Sequence, residues 1–258
     1  MVLSLLAWLT LGPSLARLVQ PLGLPYLTAN VPFVAMAVGF LLSRQLFLKL
    51  PLTTIVTDHH TFQTARFVKS FLIYFGSAIL FLLLDLLLKA EHYQVFEASF
   101  PKRLLLLPLV LLLTPLQTSV EEVAFRILPV QTINKNQLQQ PLGRQLFTSL
   151  VSALLFAAPH LGNREVAHAE NRITVILYYV LFGFVVTYLC LKTRGFEIAL
   201  AVHAANNLFI ALVCNYPASS LPSLPLLQTS RPIGTAYDIL QLLTSLTLVA
   251  FIAKKQES

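Results

Sequence analysis

Three short stretches could carry chemistry in a chain that is otherwise largely apolar. The first is Ser119-Val120-Glu121-Glu122-Val123-Ala124-Phe125-Arg126, which sets three charges just after a leucine-rich run. At a bilayer centre each ionised side chain costs about 2.5–3.5 kcal/mol, so these charges must face a polar cavity or one another. Glu122 and Arg126 are spaced i, i+4 and share a helix face within ion-pair reach, while Glu121 is turned about 100° away. The spacing predicts that Arg126 neutralises Glu122 and leaves Glu121 free to act on a proton. The second stretch is Phe156-Ala157-Ala158-Pro159-His160, where an aromatic ring sits one turn before an imidazole. The third is His203-Ala204-Ala205-Asn206-Asn207, with His203 and Asn207 on one face and small alanines that let another backbone approach. A carboxylate, two imidazoles and an amide are the groups that activate water and hold an oxyanion.

Each stretch alone has a plainer account. The glutamates could cap a helix that restarts at Thr118, with Glu121 three residues on and Pro115 favouring the break, while Arg126 snorkels to the interface. His160 could simply end a helix at the membrane surface. His203 and Asn207 could hydrogen-bond to each other and join two helices. Three such stretches, at membrane depth on separate segments, favour one shared site.

The elements that must position them are helices in a bilayer. The 258 residues are 56% hydrophobic and only 11% charged, with mean hydropathy +0.74. A soluble domain carries about 25% charged residues, and apolar runs of about 20 mark spanning helices. Eight hydrophobic segments run from Met1 to Leu18, Val31 to Leu48, Phe67 to Leu88, Leu104 to Val130, Leu146 to His160, Ile173 to Leu191, Phe196 to Val213 and Tyr237 to Ala253. The expected fold is therefore all-α: one membrane-embedded domain over 1–258, about eight transmembrane helices around a central polar cavity. The first segment lacks a basic n-region and cleavage site and reads as a retained helix broken at Gly12-Pro13. The connector from Tyr216 to Ala236 reads as an interfacial loop. Cys190 and Cys214 lie in apolar runs and are expected to be buried free thiols.

The net charge of +7 needs no nucleic acid, because Lys and Arg in loops fix membrane topology. One set of connections holds ten of them (Arg44, Lys49, Arg66, Lys69, Lys135, Arg144, Lys192, Arg194, Lys254, Lys255) and the other holds seven, which puts both termini on the cytoplasmic side. The expected partners are the lipid bilayer and a peptide or protein substrate; oligomeric state is not written in the sequence. Asp85 is expected to pair with Lys89 one turn on. His59, His60, His92 and His168 read as solvated loop residues, and Tyr178, Tyr179 and Tyr188 as ordinary aromatic packing. One problem is visible in advance. If the fourth and fifth segments were straight and antiparallel, Glu121 and His160 would lie at different depths. The helices would have to break at Pro115 and Pro159, or Leu142–Arg144 would have to lie inside the membrane.

Read in order, E-E-x-x-x-R, F-x-x-x-H and H-x-x-x-N resemble the CAAX proteases and bacteriocin-processing enzymes (the CPBP family), which include the type II CAAX prenyl endopeptidases. The resemblance covers about residues 115–209, and Ile127 stands where that family commonly has glycine. It implies an intramembrane endopeptidase that hydrolyses a peptide bond of a membrane-associated substrate, CAAX-type prenylated or not, with water activated by glutamate and histidine. It implies Glu121 as general base with His160 as its partner, His203 and Asn207 as oxyanion stabilisers, and Glu122, Arg126 and Phe156 as support. A second scheme within the family has Glu121, His160 and His203 ligate zinc; the metal-free scheme, with no cofactor, is the one taken here. The competing readings are a non-catalytic immunity or scaffolding membrane protein of the same fold, and a transporter with a proton site at Glu121/Glu122.

Overall fold

The computed structural model describes residues 6–20, 24–135 and 137–254, and it is built almost wholly from helices. A helical run opens with a π turn at Ala7–Leu11 and continues as α1 (Gly12–Val19). The helices that follow are α2 (Pro25–Ser43), the short α3 (Leu52–Val56), α4 (Thr64–Lys89), α5 (Phe100–Glu122), α6 (Leu128–Ile133), α7 (Leu142–His160), the short α8 (Arg164–Ala167), α9 (Arg172–Thr193), α10 (Glu197–Leu212) and α11 (Ala236–Lys254). In hydrocarbon every backbone N–H and C=O must be satisfied internally, and helices do this segment by segment. Five of these stretches are long and apolar enough to cross a membrane: Pro25–Leu48, Thr64–His92, Phe100–Ile133, Leu142–His160 and Arg172–Thr193. Glu197–Leu212 and Ala236–Phe251 are apolar but shorter. Of the expected first segment, residues 1–5 lie outside the described residues. Of the about eight transmembrane helices expected, five are this long and apolar among the described residues.

The chain does not break where its prolines suggested. The backbone N–H of Gly12 reaches the Ala7 carbonyl, so the helix widens by one residue and passes through Gly12-Pro13 instead of stopping. Gly12 also lies where an added Cβ would come within 2.8 Å of the Pro32 side chain, so α1 and α2 touch backbone to ring at that point. Pro115 lies inside α5, and Thr118 is no cap: its hydroxyl folds back on the Pro115 carbonyl at 3.2 Å. The irregularity comes later, as a π segment over Val123–Ile127 joining α5 to α6. Pro129 is the local cause. It offers no N–H to the Phe125 carbonyl four residues back, and its ring crowds that carbonyl, so widening the turn relieves both. Ile127, at the position where glycine was expected, is fully buried in the main core.

The architecture is not purely helical. β1 (Tyr93–Val95), β2 (Cys214–Asn215) and β3 (Leu227–Thr229) form a three-stranded sheet in the order β1-β3-β2. β1 and β3 are antiparallel with Gln94 opposite Gln228, and β2 and β3 are parallel with Cys214 opposite Leu227. The connector expected to be plain loop therefore supplies the central strand. Its alternation is too short, at three residues, to give a period-2 signal. Cys190 and Cys214 are buried free thiols, as read.

Packing places the motif helices together. α7 lies along α9, α10 is wedged between α4 and α5, and α11 covers α4 and α9. Small residues make the α7–α9 contact close: a Cβ on Gly183 would fall 2.7 Å from the Ala153 Cα, and the Ser152 and Thr187 hydroxyls pair at 3.0 Å beside it. The depth problem is resolved at the turn between α6 and α7. Thr148 donates to the Asn134 side chain at 3.0 Å, and the Arg144 guanidinium caps the Ile133 carbonyl. The first turns of α7 thus overlap the end of α6. Measured back from that junction, Glu121 and His160 each lie about 18–19 Å along their helices, at one level. Neither helix has to break at depth; Pro159 merely precedes the last residue of α7.

Candidate active site

The three sequence motifs converge on one buried cluster. Glu122 is fully buried, and its carboxylate binds the Arg126 guanidinium through Oε2 and the His203 Nδ1 through Oε1, at 2.8 Å for the latter. Arg126 is also fully buried and rests over the rings of Phe156 and Phe182, 4.9 and 5.6 Å from their centroids. Two of its nitrogens have no hydrogen-bond acceptor, and the two aromatic faces take the place of one. The expected Glu122–Arg126 pair is therefore present. It also does more than neutralise: it fixes the imidazole of His203.

Glu121 lies on the other side of that imidazole. Its Oε2 is 3.4 Å from His203 Nε2, and Gln117 reaches its Oε1 at 3.5 Å. His203 therefore bridges the two glutamates, one through each ring nitrogen. Because the Arg126-paired Glu122 carboxylate can only accept, the His203 Nδ1 carries a proton. Its Nε2 faces Glu121 Oε2 across 3.4 Å, with no hydrogen bond joining the two among the described residues. Glu121 is not free in the sense expected from spacing alone, but it is the carboxylate of the pair that lines the pocket.

His160 ends α7. Its Nδ1 lies 2.7 Å from the Phe156 carbonyl, which can only accept, so this nitrogen bears the proton and Nε2 is left with a lone pair. The ring stacks on Phe156 at 4.7 Å and lies tilted against Tyr179 at 4.5 Å. Phe156 in turn meets His203 edge-on at 5.5 Å, so one aromatic ring spaces the two imidazoles. Asn207 is buried, and its side-chain oxygen accepts from Asn206 at 3.1 Å. Among the described residues no hydrogen bond joins it to His203, so the two do not form the helix-gluing pair. With its oxygen occupied, the Asn207 amide keeps N–H groups to donate.

Glu121, His160, His203 and Asn207 all border one pocket of about 380 Å³, with Gln117, Tyr179 and Phe182 among its walls. Several of these were not singled out from sequence. Tyr179, read as ordinary packing, holds His160. Tyr178 and Tyr74 both donate to the Asn206 oxygen at 3.4 Å, which orients Asn206 toward Asn207. Asn206 itself stood beside a motif residue and could have been weighed there. Phe182 and Gln117 carry no signal beyond helical spacing. Asp85 does not pair with Lys89: it binds Arg231 at 2.9 Å and accepts from the Tyr93 hydroxyl. The partner that wins lies far away in sequence, at the sheet end of the same pocket. His59 is not a free loop residue either, since its Nε2 lies 3.0 Å from the Thr193 carbonyl.

Among the described residues, no group of three His, Cys, Asp or Glu side chains is arranged to hold a metal ion. Each nitrogen of His203 faces one of the two glutamates, and no step is drawn through zinc.

Residues 100–209 match the family described as Rce1-like, type II CAAX prenyl endopeptidase Rce1-like. The chain is also 32% identical over 210 residues to the uncharacterized protein YyaK of Bacillus subtilis (strain 168). That similarity takes in 80% of this chain and spans 66% of YyaK. No solved structure matches.

Proposed function

We infer the activity from a likeness: residues 100–209 of this chain match the Rce1-like family of type II CAAX prenyl endopeptidases. The family is one of proteases, and five helices long and apolar enough to cross a membrane support a multi-pass membrane protein. Our reading is an intramembrane endopeptidase that cleaves a membrane-associated peptide chain with water activated by Glu121, its termini cytoplasmic. One observation carries it: of two adjacent buried glutamates, Glu122 is consumed by Arg126 and His203, whereas Glu121 borders the pocket.

The steps start from an ionised Glu121 and a His203 that carries a proton on Nε2. Glu121 takes a proton from a water that also donates to the His160 lone pair, and the water oxygen attacks the scissile carbonyl. The carbonyl oxygen becomes an oxyanion facing the Asn207 amide and the protonated His203 Nε2. Glu122 and Arg126 hold His203 in that state. Glu121 then returns its proton to the leaving amine as the C–N bond breaks. Positioned acid–base catalysis of this kind contributes about 10²–10⁴-fold.

The test is a peptide reporter presented to purified full-length protein in lipid vesicles. Glu121→Gln, which keeps shape and hydrogen bonding, should lose at least about 10²-fold in kcat. Turnover at the wild-type rate in that variant would sink the hydrolase reading and leave a non-catalytic membrane scaffold.

A further inference from the structure

Among the described residues, the positions outside glycine that adopt a left-handed backbone are all basic: Lys49, Lys135 and Arg194, with φ of 53°, 52° and 52°. Each closes a helical run. The Lys49 N–H reaches the Arg44 carbonyl behind a π turn over Arg44–Leu48, the Lys135 N–H reaches the Thr132 carbonyl beyond α6, and the Arg194 N–H reaches the Cys190 carbonyl at the end of α9. Glycine is the usual residue just past a helix, because a Cβ in the left-handed conformation is crowded by its own backbone. The glycine that does take a positive φ, Gly234 at 85°, lies in the connector between β3 and α11 instead.

The fold gathers these three turns at one end of the bundle. The Asp58 N–H donates to the Arg194 carbonyl at 3.0 Å, and the Asp58 Oδ2 accepts from the Leu138 N–H at 2.9 Å. The turns after α6 and α9 therefore meet around Asp58. Gln131 on α6 donates to the Ile55 carbonyl at 3.0 Å, which ties in α3, whose first residue lies three past Lys49. Lys49, Lys135 and Arg194 are exposed, and among the described residues none of them is ion-paired. The nearby acids are occupied: Glu197 is fully buried and faces Arg66, and Asp58 holds backbone. Leu46, Phe47 and Leu50 stand exposed beside Lys49, the pairing of apolar and basic side chains found where hydrocarbon meets headgroups.

A cation beside the last carbonyls of a helix is favourable, yet glycine would seat the same turn without crowding. Three unpaired cations, each in a crowded turn and all at one end, fit a negative surface outside the chain. We propose that this end of the bundle is a docking surface for anionic phospholipid headgroups, with Lys49, Lys135 and Arg194 as its contacts. The proposal is independent of the hydrolase reading. Basic residues next to a membrane are each drawn to an anionic leaflet, and helix ends hold these three at fixed places.

The experiment reconstitutes full-length protein in vesicles of phosphatidylcholine and phosphatidylglycerol in equal parts. Lipids retained after gentle extraction are counted by native mass spectrometry. Wild-type protein should retain the anionic lipid at least about fivefold over the neutral one, the attraction expected of a single basic residue at such a surface. In about 1 M salt, where charges are screened beyond about 3 Å, the preference should fall below about twofold. The triple variant Lys49→Gly, Lys135→Gly, Arg194→Gly should lose the preference at low salt. In vesicles of phosphatidylcholine alone it should melt no lower than wild type, because glycine accepts the left-handed turn. Glutamine at the same three positions removes the charge and keeps a side chain, and it should lose the preference equally, which covers a glycine variant that fails to assemble. Lys102→Gln, at the far start of the α5–α6 run, should keep it. Retention of the preference by both triple variants overturns the proposal. So does a preference lost with the glycine variant and kept with the glutamine one, since backbone and not charge would then be responsible. If millimolar inorganic phosphate at matched ionic strength displaces the lipid, the site is one for a free anion and the membrane surface is refuted.

Discussion

Two buried clusters that share one helix contain the same three residue types but differ in their relation to the pocket. At the start of α10, Glu197 is fully buried, faces Arg66 at 3.9 Å and accepts from the Gln63 backbone at 3.0 Å, and His59 lies against Arg66 at 3.4 Å. Six residues further along that helix, at His203, the second cluster begins: Glu122, Arg126 and His203, with Glu121 beyond. The first cluster is sewn into backbone. Arg66 and His59 both point to the Thr193 carbonyl, and the chain at 56–58 pairs with 194–196. Gly195 is required there, because a Cβ would fall 2.1 Å from Glu197 Oε2. None of its charged members borders the pocket. The lesson is that a buried Glu–Arg–His set is not in itself a site. The difference lies in a second carboxylate sharing the imidazole and opening on a cavity.

That contrast can be broken in several ways. The largest effect is expected from Glu121→Gln, a loss of about 10²–10⁴-fold in kcat with an unchanged melting temperature, whereas Glu197→Gln should lower the melting temperature and leave kcat per folded molecule intact. If Glu197→Gln abolished turnover in folded protein, the two clusters would not be functionally distinct. Next, Arg126→Met should destabilise by about 3–5 kcal/mol, since it strands Glu122 without a partner, and Glu122→Gln in the same chain should recover much of this in denaturation measurements. Third, Gly183→Leu should cost about 1–3 kcal/mol by forcing α7 from α9, with kcat falling as Phe182 and His160 shift; the two readouts should move together. Asn206→Ala should lower kcat several-fold with little change in KM, because it releases Asn207 without touching the pocket's apolar walls. Smallest of all, excess chelator should leave the purified enzyme's turnover unchanged, and a chelator-sensitive rate restored by zinc would overturn the metal-free scheme.

Local spacing was enough to pair Glu122 with Arg126, because i, i+4 neighbours on a helix meet whatever surrounds them. It was enough, too, for the helical class and for the three motifs, since apolar runs of this length allow little else in a bilayer. Where sequence neighbours competed with distant partners, the local guess failed. Lys89 lost Asp85 to Arg231, which is brought there only by a strand too short to be legible. Prolines were misjudged in the same way: Pro115 and Pro13 are absorbed by continuous helices, because surrounding packing and widened turns compensate a single missing N–H.

The order and types of the chemical residues were set along the chain, one helix turn at a time. The shared depth of Glu121 and His160, the double grip on His203 and the pairing of Asp85 with Arg231 came only with the packed bundle. Each depends on how far one helix slides past another, and that offset is decided by side chains remote in sequence, such as Thr148 against Asn134 and Gly183 against Ala153.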